Sequence, residues 1–340
     1  MNIKRDKSEK EHKFTSTGIK FWKHRYQMDN YRNGDPNTII STHISPEGSC
    51  NLNCHYCSVK KRDSSYRIEM PVIKDYITKL KSRGLKAVII TGGGEPTLYK
   101  HFNELVTWLS EQDLKIGLIT NGTLTDRVDV WDKFSWIRVS INIFDDYENL
   151  ISLPIEKIPS DVVVGSSFIE TNNLVDNIEG IKRVVDKIQA KYVRILPNCL
   201  LNHEDLLDYH EKIDKLIDEC DLDERFFHQY KVHETPNACI CHQSYFRPYL
   251  SEVDGGTVYP CDSLVLNDNN ELFHRKFQLC KAEDILEYLN GSIEQKFSPD
   301  KDCSGCVFND NITMLDNWKH NGISKFEEFE GTKMNHEEFV

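Results

Sequence analysis

The sequence predicts an α/β fold in which parallel strands form an open or partial barrel, followed by a small α+β module. Between residue 38 and about residue 222, six strand-like segments alternate with helix-like segments, and parallel neighbours need such crossover connections. Six units are fewer than the eight of a closed β/α barrel. After about residue 225 the alternation stops, and six of the eleven cysteines follow in that region.

The first half of the predicted barrel begins with a strand at residues 38–45, which are rich in β-branched side chains. Pro71 opens the next helix, because the missing N–H of proline does no harm in a first turn. Gly84 ends that helix. The elements that follow are a strand at 87–91, a helix at 101–112 and a strand at 116–120.

The second half repeats the pattern after a linker that the sequence leaves unassigned. Pro197 stops the sixth strand. The predicted elements are strands at 136–143, 162–169 and 192–196 and helices at 174–188 and 206–217.

The C-terminal region predicts short strands at 226–230, 245–253 and 257–261 and a helix at 282–290. Asp254-Gly255-Gly256 is a turn signal that makes the last two strands a hairpin, and Pro248 predicts an edge or a bulge. We therefore divide the chain into four parts. These are a basic extension at 1–37, the barrel core at 38–222, the small module at 223–315 and a tail at 316–340.

Composition limits the functions open to this chain of 340 residues. A formal charge of −12 argues against binding of long nucleic acid through a general basic surface. The sequence holds no apolar run of membrane-spanning length and no apolar stretch typical of a secretion signal at its start, which predicts a cytoplasmic protein with reduced thiols. The first 35 residues are basic. We expect them to form a solvated tail, with contact to phosphates or an acidic peptide as the alternative.

Cys50, Cys54 and Cys57 form the pattern C-x3-C-x2-C, directly after the first predicted strand. Three thiolates at this spacing can hold three irons of a [4Fe–4S] cube and leave the fourth iron open, whereas an electron-transfer cluster normally has four cysteines. The alternative is a set of buried or zinc-binding cysteines.

This triplet, with Tyr56 before its last cysteine, resembles the signature of the radical S-adenosylmethionine (radical SAM) superfamily. The resemblance implies a partial (β/α)6 barrel whose open iron binds the amino and carboxylate groups of SAM. It also implies that one electron from the cluster cleaves SAM to a 5′-deoxyadenosyl radical, which abstracts hydrogen from a substrate. Tyr56 is then expected at the cofactor site.

Two further segments carry the resemblance. Thr91-Gly92-Gly93-Gly94-Glu95-Pro96 follows the second strand and is similar to the Gly-Gly-Glu motif of the superfamily, which implies that Gly93, Gly94 and Glu95 hold the methionyl amino group. Ser140 and Asn142, on the fourth strand, are expected to contact the ribose or carboxylate of SAM, with ordinary strand polarity as the alternative.

One departure from the superfamily concerns an arginine that many members carry after the fourth strand. This chain has none between Arg138 and Arg183. The contact to the SAM carboxylate is therefore absent or comes from Arg138, Lys157 or Arg194.

The C-terminal cysteines resemble the auxiliary-cluster modules called SPASM and twitch. Cys241, then Gly256, then Cys261 match the opening of that pattern, and the pair Cys303 and Cys306 closes the shorter, twitch form. The resemblance implies a second [4Fe–4S] cluster on Cys241, Cys261, Cys303 and Cys306. Structural zinc is the alternative, and Cys239 or Cys280 can replace one of the four ligands.

Together these features predict a radical SAM enzyme that acts on a peptide or protein side chain or on a small metabolite, with the auxiliary cluster assisting oxidation or binding. Its expected partners are SAM and an electron donor such as flavodoxin or ferredoxin. Two other classes remain open: an activating enzyme that places a glycyl radical on a partner protein, and a non-catalytic metal-binding protein with a structural zinc site.

Overall fold

The computed structural model describes residues 8–142, 150–231, 233–264, 275–329 and 331–340. Its strands are β1 Ser41–Ile44, β2 Ala87–Ile90, β3 Lys115–Thr120, β4 Trp136–Ser140, β5 Val163–Glu170, β6 Val193–Pro197, β7 Phe226–His228, β8 Tyr249–Ser251, β9 Thr257–Tyr259 and β10 Cys280–Lys281. Its α-helices are α1 Glu9–Phe14, α2 Arg25–Asn33, α3 Met70–Lys81, α4 Phe102–Glu111, α5 Leu174–Lys187, α6 His203–Glu219, α7 Ile285–Leu289, α8 Pro299–Asp302, α9 Asn309–Asn321 and α10 Phe326–Phe329.

All ten described strands belong to one sheet, in the order β10-β9-β8-β1-β2-β3-β4-β5-β6-β7. Strands β1 to β7 run parallel, and helices lie between several of them in the chain. The prediction of an α/β fold with a parallel sheet is therefore confirmed. The two outer strands of the order, β10 and β7, do not pair with each other among the described residues, so the sheet stays open.

The six predicted barrel strands are present, and β7 adds a seventh. The segment at 226–230 was expected in the small module, but its residues Phe226–His228 pair in parallel with β6. The fourth strand ends at Ser140, and the predicted strand residue 143 lies outside the described residues.

Helix α3 shows how the repeat forms locally. Pro71 occupies its first turn, and Ile73, Ile77 and Leu80 on one face are fully buried. Gly84 follows with φ +105°, a backbone angle that side-chain-bearing residues rarely adopt. The chain then turns directly into β2, which pairs with β1.

The strands of the predicted small module continue the barrel sheet on the far side of β1. Strand β8 pairs in parallel with β1 and antiparallel with β9. Asp254, Gly255 and Gly256 all have positive φ, so the predicted turn of this hairpin is confirmed. The predicted edge position at Pro248 is wrong, because β8 lies between two strands and the Pro248 carbonyl accepts a hydrogen bond from the His43 amide.

Both ends of the chain pack on the barrel. Phe21, Trp22 and Met28 are buried in a cluster with Trp318 of α9 and Phe326 of α10. The expected solvated N-terminal tail is therefore wrong for the described residues from 8 onward, while residues 1–7 lie outside them. Polar residues dominate α2, but its apolar side chains fall on one face that α9 covers.

None of the described helices is long and apolar enough to cross a membrane.

Candidate functional site

The loops that follow β1, β2 and β3 surround a cavity of about 320 Å³. The carboxyl ends of parallel strands meet on one side of a sheet, so these loops are neighbours in space. The predicted site residues that line the cavity are Cys50, Cys54, Tyr56, Cys57, Gly93, Gly94, Glu95 and Ser140. The structure therefore brings the cysteine triplet and the glycine motif together.

Hydrogen-bond donors surround the sulfur of Cys50. The Leu52 amide lies 3.4 Å from this sulfur and the Asn121 side-chain amide 3.9 Å from it. Within the same loop, the Cys57 amide donates to the Cys54 carbonyl over 3.2 Å, which folds the two cysteines into one turn. Donors directed at sulfur stabilise thiolate charge and raise the reduction potential of a bound cluster.

Arg62 is the cation that the sequence analysis missed at this site. It lines the cavity, and its Nε donates to the Gly48 carbonyl over 2.6 Å while one Nη lies 3.7 Å from the Cys57 sulfur. Burial raises the pKa of the Cys50 thiol, and the Arg62 charge opposes that shift. No spacing rule pointed to Arg62, because it reaches back to the cysteines through a loop of irregular structure.

The three glycines after β2 have no space for side chains. A Cβ on Gly94 would lie 1.8 Å from the Ser49 carbonyl oxygen, and one on Gly93 would lie 1.8 Å from the Glu252 carboxylate. The Gly94 amide donates to the Glu47 carbonyl over 3.0 Å. The glycine loop thus packs backbone to backbone against the loop that carries the cysteine triplet.

We expect Gly94→Ala to damage the cysteine loop, since the added methyl group meets backbone that cannot rotate away. The free energy of unfolding should fall by about 1–3 kcal/mol, the usual cost of overpacking, and SAM binding should weaken. Thermal denaturation and equilibrium dialysis with SAM measure the two effects. Gly331→Ala is the matched control, because nothing lies within 4 Å of its added Cβ. Equal behaviour of the two variants would contradict this account of the loop.

Glu95 joins the loop after β2 to the loop after β3. Its Oε1 accepts hydrogen bonds from the Thr97 amide and from the Thr97 and Thr120 hydroxyls, and its Oε2 accepts one from the Asn121 amide over 2.8 Å. Burial raises the pKa of this carboxyl, and these donors oppose the shift. Because Oε2 accepts a single described hydrogen bond, it keeps capacity for a further N–H donor such as an amino group. The Thr120-Asn121 pair at the end of β3 therefore holds Glu95 in place.

The two residues predicted to contact SAM from the fourth strand, Ser140 and Asn142, have different surroundings. Ser140 lines the cavity, whereas the side-chain amide of Asn142 both donates to the carbonyl and accepts from the amide of Ile169, over 2.7 and 2.6 Å. Asn142 is not among the described residues that line this cavity, and its contact with SAM stays a prediction. The Tyr56 hydroxyl donates to the Asn142 carbonyl over 3.1 Å, and this bond joins the cysteine loop to the end of the fourth strand.

The three cations considered for the SAM carboxylate do not line this cavity. Arg138 and Arg194 line a different cavity, inside the barrel. Lys157 lies in a short 3-10 helix before β5. Arg62 and Lys60 are the cations that line the triplet cavity among the described residues.

The four predicted auxiliary cysteines line one small apolar cavity. Its other walls include Leu264, Phe297, Phe308 and Ile312. The four cysteines are Cys241, Cys261, Cys303 and Cys306. Gln295 fixes the first of them by accepting from the Cys241 amide over 3.0 Å and donating to its carbonyl.

Burial dominates the ionisation of these thiols. It raises the pKa of Cys241 to about 12 and that of Cys306 to about 11, and it raises those of Cys261 and Cys303 as well. Thiols of this kind stay protonated without metal and lose their protons when a metal binds, so loading is coupled to proton release.

The two rival ligands lie outside this cavity. Cys239 is exposed and its sulfur faces the Asp300 carboxylate, while Cys280 is buried in β10 and pairs with Val258 of β9. Neither lines the thiol cavity in the part of the chain that the structure describes.

The spacing of the sulfurs tests the fit of a cluster against that of a single ion. Four thiolates around one zinc at a Zn–S distance of about 2.3 Å lie roughly 3.8 Å apart. Within the described ranges, no three cysteines have sulfur atoms that all lie within 4.8 Å of one another. The described cysteines are therefore not already gathered at the spacing of ligands to one ion, and zinc stays the alternative at the auxiliary site.

Residues 44–164 match the sequence profile of the radical SAM superfamily. A GTP 3′,8-cyclase of Synechocystis is 39% identical over 94 residues, which are 26% of this chain and 28% of that protein. An S-adenosylmethionine-dependent nucleotide dehydratase of Selenomonas ruminantium is 34% identical over 85 residues, or 25% of this chain and 30% of that protein. The chain therefore spans less than a third of the length of these curated relatives.

A solved structure shows the same fold over a longer stretch. Streptococcus suis SuiB, crystallised with the precursor peptide SuiA, superposes with a TM-score of 0.51 at 15% identity, covering 78% of this chain and 69% of SuiB.

Proposed function

Residues 44–164 form a radical SAM domain, which uses a [4Fe–4S] cluster and SAM, and from this premise we propose that the chain is an enzyme that cleaves SAM reductively and abstracts hydrogen from a substrate. The observation that carries the proposal is the single cavity that Cys50, Cys54 and Cys57 share with Gly93, Gly94 and Glu95. Its position at the carboxyl ends of the strands is where β/α barrels carry their chemistry.

When bound, the cluster supplies the electron that cleaves SAM to a 5′-deoxyadenosyl radical. The protein residues bind and orient the cofactor. In this proposal the three thiolates would hold the cluster, and backbone carbonyls of Gly93–Gly94 and Glu95 Oε2 would accept hydrogen bonds from the methionyl amino group. Arg62 or Lys60 pairs with the carboxylate, and Ser140 contacts the remainder of SAM. Glu95 is fixed by Thr97, Thr120 and Asn121, so its acceptor atom is oriented before the cofactor arrives.

The second part of the proposal assigns an auxiliary [4Fe–4S] cluster to Cys241, Cys261, Cys303 and Cys306, in a twitch-like module at 223–315. Four thiolate ligands leave no open iron, which suits an electron acceptor or relay better than a SAM site. The apolar walls that surround the thiols support this assignment, since burial is one of the factors that set the potential of a cluster. The substrate is a peptide or protein side chain or a small metabolite, and the reductant is a flavodoxin or ferredoxin.

The proposal is tested on the full chain, reconstituted without oxygen and treated with dithionite. We expect about eight irons per chain for two four-iron clusters, a change in the cluster spectrum when SAM is added, and formation of 5′-deoxyadenosine. Intact SAM under strong reductant would overturn the proposal in favour of a metal-binding protein. Cleavage that needs a partner protein would instead indicate an activating enzyme.

A further inference from the structure

The interior of the barrel holds a second cavity, of about 160 Å³, beneath the triplet cavity. Its lining includes strand residues such as Arg138 on β4 and Arg194 on β6 together with residues near both ends of the chain, such as Lys20 and Phe339, whereas the triplet cavity is lined mainly by the loops after the strands. Trp136 and Phe339 meet edge to face with ring centroids 5.4 Å apart and form part of its floor.

This interior cavity lies between the two proposed cluster sites. Ile119 lines both it and the triplet cavity. Ser263 and Phe308 line both it and the auxiliary thiol cavity. A molecule seated here therefore borders both sites.

The lining carries a large excess of positive charge. Among the described residues it includes one carboxylate, Asp262, and six lysines or arginines: Lys13, Lys20, Arg138, Arg194, Lys231 and Arg247. Asp262 already has partners, since its oxygens lie 3.1 Å from Arg247 Nη2 and 3.4 Å from His43 Nδ1. Burial raises the pKa of Asp262, but its interactions with His43 and Arg247 outweigh burial and hold that pKa well below its usual range.

Two other buried cations, Arg138 and Lys20, donate to neutral groups. Arg138 donates to the Tyr192 hydroxyl over 3.0 Å and to the Phe14 carbonyl over 2.9 Å. Lys20, which is 2% exposed, donates to the His336 carbonyl over 3.1 Å. Neutral acceptors satisfy the hydrogen bonding of Arg138 but leave its charge uncompensated, whereas the charges of Glu337 and Glu338 act on Lys20. Buried charge is costly without a counter-charge.

Arg194 is the least satisfied of these cations. One Nη donates to Gln229 Oε1 over 2.8 Å, and its buried Nε has no hydrogen-bond partner among the described residues. Burial and the neighbouring Arg138 lower the pKa of Arg194 to about 9 and that of Lys20 to about 7, as expected where like charges are crowded together.

We propose that this interior cavity binds the anionic end of the substrate, a carboxylate or phosphate group on a small molecule, with Arg194 as its principal ligand. The inference rests on the proposed function and names the substrate class of the same site. An anion here supplies the missing counter-charge, and a guanidinium with free donors suits the planar or tetrahedral oxygens of such groups. A substrate held by this end extends toward the SAM cavity past Ile119.

The test is isothermal titration of the reconstituted full chain, with SAM present, using inorganic phosphate and succinate as probes. We expect at least one of the two anions to bind, and the stronger binder identifies the group as phosphate or carboxylate. Arg194→Gln should weaken that binding about tenfold or more, the usual effect of losing a charge-assisted hydrogen bond. Arg127→Gln, at an exposed arginine outside the cavity, is the matched control and should bind as the wild type does.

Lys231→Gln provides a second variant for the case in which Arg194→Gln does not fold, and it should also weaken binding. Absence of binding by both anions, or unchanged affinity in folded cavity variants, overturns the inference. Dithionite-driven 5′-deoxyadenosine formation by the wild type, measured in the same preparation without probe, separates the two proposals. Cleavage without anion binding rejects only the substrate class, and anion binding without cleavage rejects only the proposed function.

Discussion

Replacing Cys54 by alanine is expected to abolish 5′-deoxyadenosine formation and the spectral change that SAM causes. With only two thiolates left, a second iron of the cube has no cysteine ligand. The whole SAM-binding cluster is therefore expected to be lost. The iron content should fall from about eight to about four per chain, since the auxiliary site does not depend on this residue. Iron analysis, absorption spectra with and without SAM, and product analysis under dithionite measure the three effects.

Cys220→Ala is the matched control for this variant. Cys220 is a partly exposed cysteine at the end of α6 and lines neither cluster cavity. It should keep the wild-type iron content and activity. A Cys54→Ala protein that still cleaves SAM would remove the basis for assigning the triplet to the cofactor site.

The sequence predicted those elements whose periodicity is local. Helix α3 illustrates this, because its apolar stripe, its Pro71 and its Gly84 all lie within fifteen residues and need no distant partner to be interpreted. The cysteine triplet and the glycine motif were likewise placed correctly at strand ends, since strand order alone brings such loops to one side of a parallel sheet.

The parts that escaped prediction depend on contacts between distant segments. Strand β7 is three residues long, and only its pairing with β6 identifies it as part of the barrel sheet. The basic N-terminal region looked like a solvated tail because its charges mask a few apolar side chains. Trp22 becomes buried only against Trp318 and Phe326, almost three hundred residues later in the chain.

Within the site, the residues that sequence reasoning missed are those whose roles depend on contacts between separate loops. Arg62 approaches Cys57 because its loop folds back, and Thr120 and Asn121 hold Glu95 because two strand ends are adjacent. Asn142 was predicted as a SAM contact from its polarity on a strand, and its side chain also bonds to the backbone of Ile169. Alternation identifies the face of a strand, whereas the partner of each side chain depends on the neighbouring strand.

The second large effect is expected at the auxiliary site. Cys303→Ala removes one of four thiols from the apolar cavity, and a four-iron cluster with three remaining ligands in buried surroundings should be lost or become labile. We expect the iron content to fall from about eight to about four per chain. Because the triplet cavity is separate, dithionite-driven cleavage of SAM should persist, while turnover of the substrate should stop if the auxiliary cluster accepts its electron.

Cys239→Ala and Cys280→Ala are the matched controls, one exposed and one buried, and both lie outside the thiol cavity. Each should retain about eight irons, which would exclude them as replacement ligands. Zinc analysis of the same samples addresses the remaining alternative. A wild-type protein with about four irons and one zinc, in which Cys303→Ala loses only the zinc, would reject the auxiliary cluster, while the triplet assignment would stand.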